Sequence, residues 1–192
     1  MRALMLVIVF AAYGASQADN CIFILNTADN PDGYNTCWAD IGPFQTVDIY
    51  IFARPDLEDC PSGIIAAEFK IDNWMESPGY PDGQTVIDYT GFVEGDLATD
   101  LTITWVEPQT NAWVLIAKVS VTSFSDDWID HDYEIRPVNG DACGCIIVVD
   151  DTFNDHPANG MPFVFNPWDP WMLWCRPPQV VESSWSSVKA LF

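Results

Sequence analysis

Ile64-Ile65-Ala66-Ala67-Glu68-Phe69-Lys70-Ile71-Asp72 and Val114-Leu115-Ile116-Ala117-Lys118-Val119-Ser120-Val121 decide the fold class. In the first stretch Ile65, Ala67, Phe69 and Ile71 share one face of an extended chain, and Glu68, Lys70 and Asp72 share the other. In the second, Leu115, Ala117, Val119 and Val121 oppose Ile116, Lys118 and Ser120. Side chains of a strand alternate between its two faces, so this period of two marks strands with one buried side. Residues 101–106 alternate in the same way.

Working outward, residues 21–25, 47–52, 133–137, 145–149 and 163–165 read as further short strands. Pro31-Asp32-Gly33, Pro78-Gly79 and Pro81-Asp82-Gly83 supply tight reversals, because Pro presets φ and Gly tolerates positive φ. The expected fold is all-β, an antiparallel β-sandwich of eight or nine strands. No stretch before the C-terminus has helical periodicity. Residues 182–192 fit one short helix capped by Ser183 or Ser184, with Trp185, Val188 and Leu191 near helical spacing. A helix this short is marginal alone and must dock to persist.

The N-terminus reads as an address. Met1-Arg2, an apolar run from Leu4 to Tyr13, and Ala15-Ser16-Gln17-Ala18 follow the order of a secretory signal peptide. The run is too short to span a membrane comfortably. We expect a leader at 1–18 cut before Asp19, a disulfide-stapled sandwich at 19–175, and a Pro spacer with a tail at 176–192. The expected location is secreted or on the cell surface, with no membrane span after leader removal.

Six cysteines (Cys21, Cys37, Cys60, Cys143, Cys145, Cys175) follow the leader. In an oxidising compartment they read as disulfides, with fifteen possible pairings. Cys143-Gly144-Cys145 lacks the spacing of a zinc knuckle. Adjacent strand positions do not bridge easily, so these two are expected to staple different segments, one to Cys175, with Cys37–Cys60 as the N-terminal pair.

Once Arg2 leaves with the leader, 6 basic residues face 28 acidic ones, a net charge of −22. Such a field disfavours nucleic acid and anionic lipid. Disorder is excluded by 49% hydrophobic and 14% aromatic residues.

Few groups are placed for chemistry. His131 and His156 are both flanked by carboxylates, which favour the charged imidazole and suit a salt-bridged surface histidine better than a general base. There is no nucleophile elbow, zinc-protease helix or phosphate loop. A glycosidase needs only two spaced carboxylates, which 28 acidic residues supply by chance. An enzyme therefore ranks last.

Calcium is the cofactor the acidic loops could take, with Asp126, Asp127, Asp130 and Asp132 as the first candidate ligands. The stretches 29–35 and 150–155 (Asp150, Asp151, Asn154, Asp155) are further donor groups. Ordinary Asx turns and solvated acids explain all three more simply. Trp168, Trp171 and Trp174 form a candidate sugar-stacking platform. Phe163, Phe165, Met172 and Leu173 around them favour packing over one end or edge of the sandwich instead.

Two fragments carry a resemblance. Ala66-Ala67-Glu68-Phe69-Lys70-Ile71, with Gly95-Asp96-Leu97 before the 101 strand, resembles the strand pattern of cohesin-like β-sandwich modules. The tail Val181-Glu182-Ser183-Ser184-Trp185-Ser186-Ser187-Val188-Lys189-Ala190-Leu191-Phe192 resembles an ending shared by many uncharacterised exported proteins of uncultured bacteria. Those proteins tend to be cysteine-bearing β-sandwiches, so the likeness implies a cohesin- or immunoglobulin-like sandwich but no activity. The tail carries Ser186 where Gly is commoner and ends without a basic residue.

The function expected from these readings is a non-catalytic structural or adhesive surface protein. It would bind a protein partner, itself or another surface component, with Trp185, Val188 and Leu191 as an assembly tail. The alternative is a carbohydrate-binding module using the tryptophans with structural calcium.

Overall fold

The computed structural model describes residues 20–26, 37–56, 60–74, 82–138 and 145–168. The expected leader, the spacer and tail, Cys143, Cys175, Trp171 and Trp174 lie outside the described residues.

Twelve strands form among the described residues: β1 (Asn20–Leu25), β2 (Trp38–Ala39), β3 (Thr46–Arg54), β4 (Ile64–Asp72), β5 (Gly83–Tyr89), β6 (Phe92–Asp96), β7 (Asp100–Gln109), β8 (Val114–Ser123), β9 (His131–Arg136), β10 (Ile146–Asp150), β11 (Asp155–Gly160) and β12 (Phe163–Phe165). All eight stretches read as strands from the sequence are present, and β2, β5, β6 and β11 add to them. The hydrogen-bonded ladder runs β5-β8-β3-β1-β11-β10-β4 and forks there. β4 pairs β7 along Ile64 to Phe69 and β9 along Lys70 to Asp72. β6 extends the first branch, and β12 then β2 extend the second. The sheet folds over a shared interior as a β-sandwich and does not close into a barrel.

Two ladders within the otherwise antiparallel sandwich are parallel, β1 with β11 and β2 with β12. Parallel neighbours need long connections, and here each pair joins an early strand to one near the end of the described chain.

The interior is the alternation made solid. Ala67, Phe69 and Ile71 of β4 face Ile22 and Ile24, Ile49 and Ile51, and Leu101 and Ile103 in one buried cluster. Each large side chain removed from water there contributes roughly 1.5–3 kcal/mol. Two irregularities shift the expected faces. Ile51 pairs Ala117 but Phe52 pairs Leu115, so Ile116 is an extra residue on β8. That bulge lets Ile116 and Ala117 both turn inward and leaves Leu115 on the outer face. A register shift between Ile64 and Ala66 likewise buries Ile64 and leaves Ile65 half-exposed.

Leu115 is partly buried there. Cys21, Leu25 and Phe52 form a second buried cluster on the outer side of β1 and β3, with Tyr50, Trp113 and Met161 against it. Arg54 caps Trp113 at 5.7 Å.

Asn20, almost wholly buried, ties three segments together. Its Oδ1 accepts from the Asp56 amide at 2.7 Å and its Nδ2 donates to Pro157 O at 3.4 Å. The Cys60 thiol also points to Oδ1, at 3.9 Å. The six-cysteine framework is corrected accordingly. Cys37 and Cys145 are disulfide-bonded, but Cys60 acts as a buried thiol donor and is not the partner of Cys37. Cys21 packs in the outer cluster and Cys60 in the inner one, on opposite sides of the sheet.

Candidate functional site

One end of the sandwich concentrates the unexplained surface. It is assembled around Asn166, which adopts positive φ (46°) just after β12. Ile41 N donates to Asn166 Oδ1 and Asn166 Nδ2 donates back to Ile41 O, both at 2.7 Å. The Asn166 amide donates to Ala39 O at 2.9 Å, and its carbonyl accepts from Asp130 N at 3.3 Å. Asn is suited to this conformation because its short amide satisfies local backbone groups. Three loops, following β2, β8 and β12, are thereby held side by side. Phe44 N donates to Ser123 O at 2.8 Å, Phe124 N to Asp82 O at 2.8 Å, and Trp168 N to Asp130 Oδ1 at 2.8 Å.

Beneath the loops lies an aromatic floor. Trp128 is fully buried, edge-on to Phe165 at 5.0 Å and to His131 at 5.4 Å. Tyr133 lies further down, edge-on to Phe165 and tilted against Trp74. This setting corrects the expected charged state of His131. Burial pushes its pKa below the ordinary 6.5, outweighing the raising effect of Asp132 and of the Asn73 backbone.

Above the floor, large apolar side chains stand in water: Phe44 at 80% exposure, Trp168 at 81%, Ile129 at 57% and Phe124 at 41%. Phe44 does so with φ of 59°. An L-residue in the left-handed region costs about 1–2 kcal/mol, so neither burial nor backbone ease explains this phenylalanine. Asp40, Asp82, Asp126, Asp127 and Asp130 are exposed on the same segments, and none of these segments holds a Lys or Arg.

The residues singled out in the sequence distribute as follows. Trp168 and the Asp126–Asp132 stretch meet here, although they were chosen for separate reasons. The four acids do not converge as a metal cage. Asp130 is engaged by the Trp168 amide, and Asp132 accepts from Asn73 Nδ2 at 3.1 Å. No group of three or more candidate ligands gathers among the described residues. Trp171, Trp174, Trp185, Val188 and Leu191 lie outside the described residues. Phe44, Phe124 and Ile129 were not foreseen. Their signal was a large apolar residue inside turn-forming sequence, as in Gly42-Pro43-Phe44-Gln45.

Of the two further acidic stretches, 29–35 lies outside the described residues, and 150–155 is a structural turn between β10 and β11. Asp150 Oδ1 accepts from the Thr152 amide and hydroxyl (2.8 Å each) and the Asn154 amide (2.9 Å). Oδ2 accepts from Asn154 Nδ2 at 3.1 Å and pairs with His156 Nε2 at 2.9 Å. The Asn154 backbone first, then His156, hold this carboxyl well below the usual carboxylate range. Both oxygens are committed to the turn, which leaves no lone pair set aside for a cation.

The sheet also has three margin strands. β5 pairs only β8, β6 pairs only β7, and the two-residue β2 pairs only β12, among the described residues. All five residues of β6 are exposed, including Phe92 and Val93.

No family model matches the chain, and no curated protein matches it. Among solved structures it is similar to a non-cellulosomal cohesin from the hyperthermophilic archaeon Archaeoglobus fulgidus. That likeness covers 78% of this chain and 91% of the other, at 12% identity and a TM-score of 0.40.

Proposed function

We propose that this chain is a non-catalytic, protein-binding β-sandwich of a secreted or surface-attached assembly. The observation that carries the reading is β6, a margin strand exposed along its whole length and hydrogen-bonded on one side to β7. A strand with one unsatisfied side is a template for a neighbouring chain. The described titratable groups with strongly engaged side chains, such as Asp150 and His156, act as fold elements instead of a reactive set. The leader expected at residues 1–18 and the acidic composition support export, and the disulfide-bonded Cys37 and Cys145 fit an oxidising compartment.

Light scattering across a concentration series at physiological salt tests this reading on the full chain and on Phe92→Lys. Edge pairing predicts concentration-dependent association, weakened about tenfold or more by the lysine. The melting temperature should not change, because Phe92 is exposed. A strict monomer unaffected by the substitution removes edge pairing. A second reading, glycan binding, is favoured by the exposed Trp168 ring and is tested by titrating soluble oligosaccharides.

A further inference from the structure

We propose that the loop end of the sandwich docks a short, basic, apolar-anchored segment of a protein partner. This deepens the binding-module reading but uses a surface distinct from the β6 margin. Phe44, Phe124, Ile129 and Trp168 expose most or much of their side chains at one end, held there by backbone hydrogen bonds between loops. Taking 150–250 Å² per aromatic side chain, their combined exposed area is on the order of 500 Å². A stable interface between folded domains needs about 800 Å² per partner. The apolar area therefore suits a peptide-sized segment better than a globular face.

Charge selects the partner's chemistry. The same loops expose Asp40, Asp82, Asp126, Asp127 and Asp130 and contain no Lys or Arg. The described cations elsewhere are engaged already: Lys70 with Asp72, Lys118 with Asp48, Arg136 with Glu134, and Arg54 over Trp113. A second copy docking end to end would press five carboxylates against the same five, so self-association through this surface is disfavoured. A segment with Leu or Phe anchors between Lys or Arg residues satisfies both features, its anchors meeting the rings and its cations meeting the rim. The strained Phe44 belongs in this account, since local backbone strain is retained where it serves a site.

Calorimetric titration of the full chain with three synthetic peptides tests the proposal: Leu alternating with Lys, Ser alternating with Lys, and Leu alternating with Glu. The Leu/Lys peptide should bind at least about tenfold tighter than either control, as expected from burying one or more anchors. Its affinity should fall with added salt. Phe44→Asn and Trp168→Ser should each weaken it severalfold without lowering the melting temperature, and Phe92→Lys should leave its affinity unchanged. Equal binding of Ser/Lys and Leu/Lys peptides overturns the proposal, as does indifference to both loop substitutions. Loss of binding in Phe92→Lys alone also overturns it but keeps the module reading. A chito- or cello-oligosaccharide that binds through Trp168 while the Leu/Lys peptide does not would replace the protein partner with a glycan.

Discussion

The Trp168 amide donates to Asp130 Oδ1 at 2.8 Å, joining two loops 38 residues apart in sequence. Asp130 itself sits at φ of 52°, a conformation Asp and Asn tolerate better than other non-glycine residues. Asp130→Ala loses the acceptor and adds left-handed strain, so it should destabilise by about 1–2 kcal/mol. Asp130→Asn keeps both properties and should be nearly neutral. Urea unfolding of the pair of variants separates the two; equal losses would mean the carboxylate charge, not the acceptor, is what the loop uses.

Phe44 invites the opposite outcome. Its ring is exposed and its φ is 59°, so replacement by Asn gives up little burial and relieves the backbone. We expect Phe44→Asn to raise stability by about 0.5–1 kcal/mol. A melting temperature lower than that of the unaltered chain would show that the ring has a packing role.

Gly95 lies at the β6–β7 hairpin with φ of 83°, and a Cβ there would stand 1.8 Å from Asp100 O. Gly95→Ala should therefore cost at least about 2 kcal/mol, combining strain with displaced backbone. Thermal unfolding measures it, and a loss below about 0.5 kcal/mol, within the range of ordinary surface changes, would mean the hairpin re-forms around the new methyl.

His131 gives stability a pH dependence. Its pKa is depressed in the folded chain, so the unfolded chain binds more protons between the two values and stability rises with pH through that window. The contribution is complete above the ordinary value of 6.5 and is lost progressively as pH falls below it. One proton limits the slope to about 1.4 kcal/mol per pH unit. Denaturant midpoints measured on both sides of that pH should show the decline, and His131→Gln should flatten it. Asp150, whose pKa is also depressed, adds a separate loss only as pH falls below 3.8. An undiminished decline in His131→Gln would assign it to another group.

How far these features could be read in advance depended on which force formed them. β4, β7 and β8 were legible because their burial is one-sided and alternating. β6 (Phe-Val-Glu-Gly-Asp) buries no residue, so no apolar face announces it. β11 (Asp-His-Pro-Ala-Asn-Gly) reads as a turn, and only its pairing with β10 and β1 makes it a strand. Leu115 and Ile65 changed faces because a bulge is set by the partner strand, not by the chain that carries it. At the loop end, Trp168 and Asp130 stood out by residue type alone. What local sequence could not supply was their contact, or the Asn166 clasp that brings the loops together.

The placement of β1 also governs the order in which the protein can be made. β1 pairs β3 along Cys21 to Leu25, but its other side pairs Ala158, Asn159 and Gly160. At 5–20 residues per second, roughly 5–20 s separate the synthesis of Arg54 from that of Gly160. Throughout that interval the first strand has a partner on one side and nothing on the other, and the buried Asn20 lacks the Pro157 carbonyl it will hold. Completion of the ladder around β1 is thus a late event, postponed until almost the whole described chain has emerged. A nascent chain arrested before residue 158 should remain protease-sensitive at its N-terminal strand, whereas the completed chain should shield it.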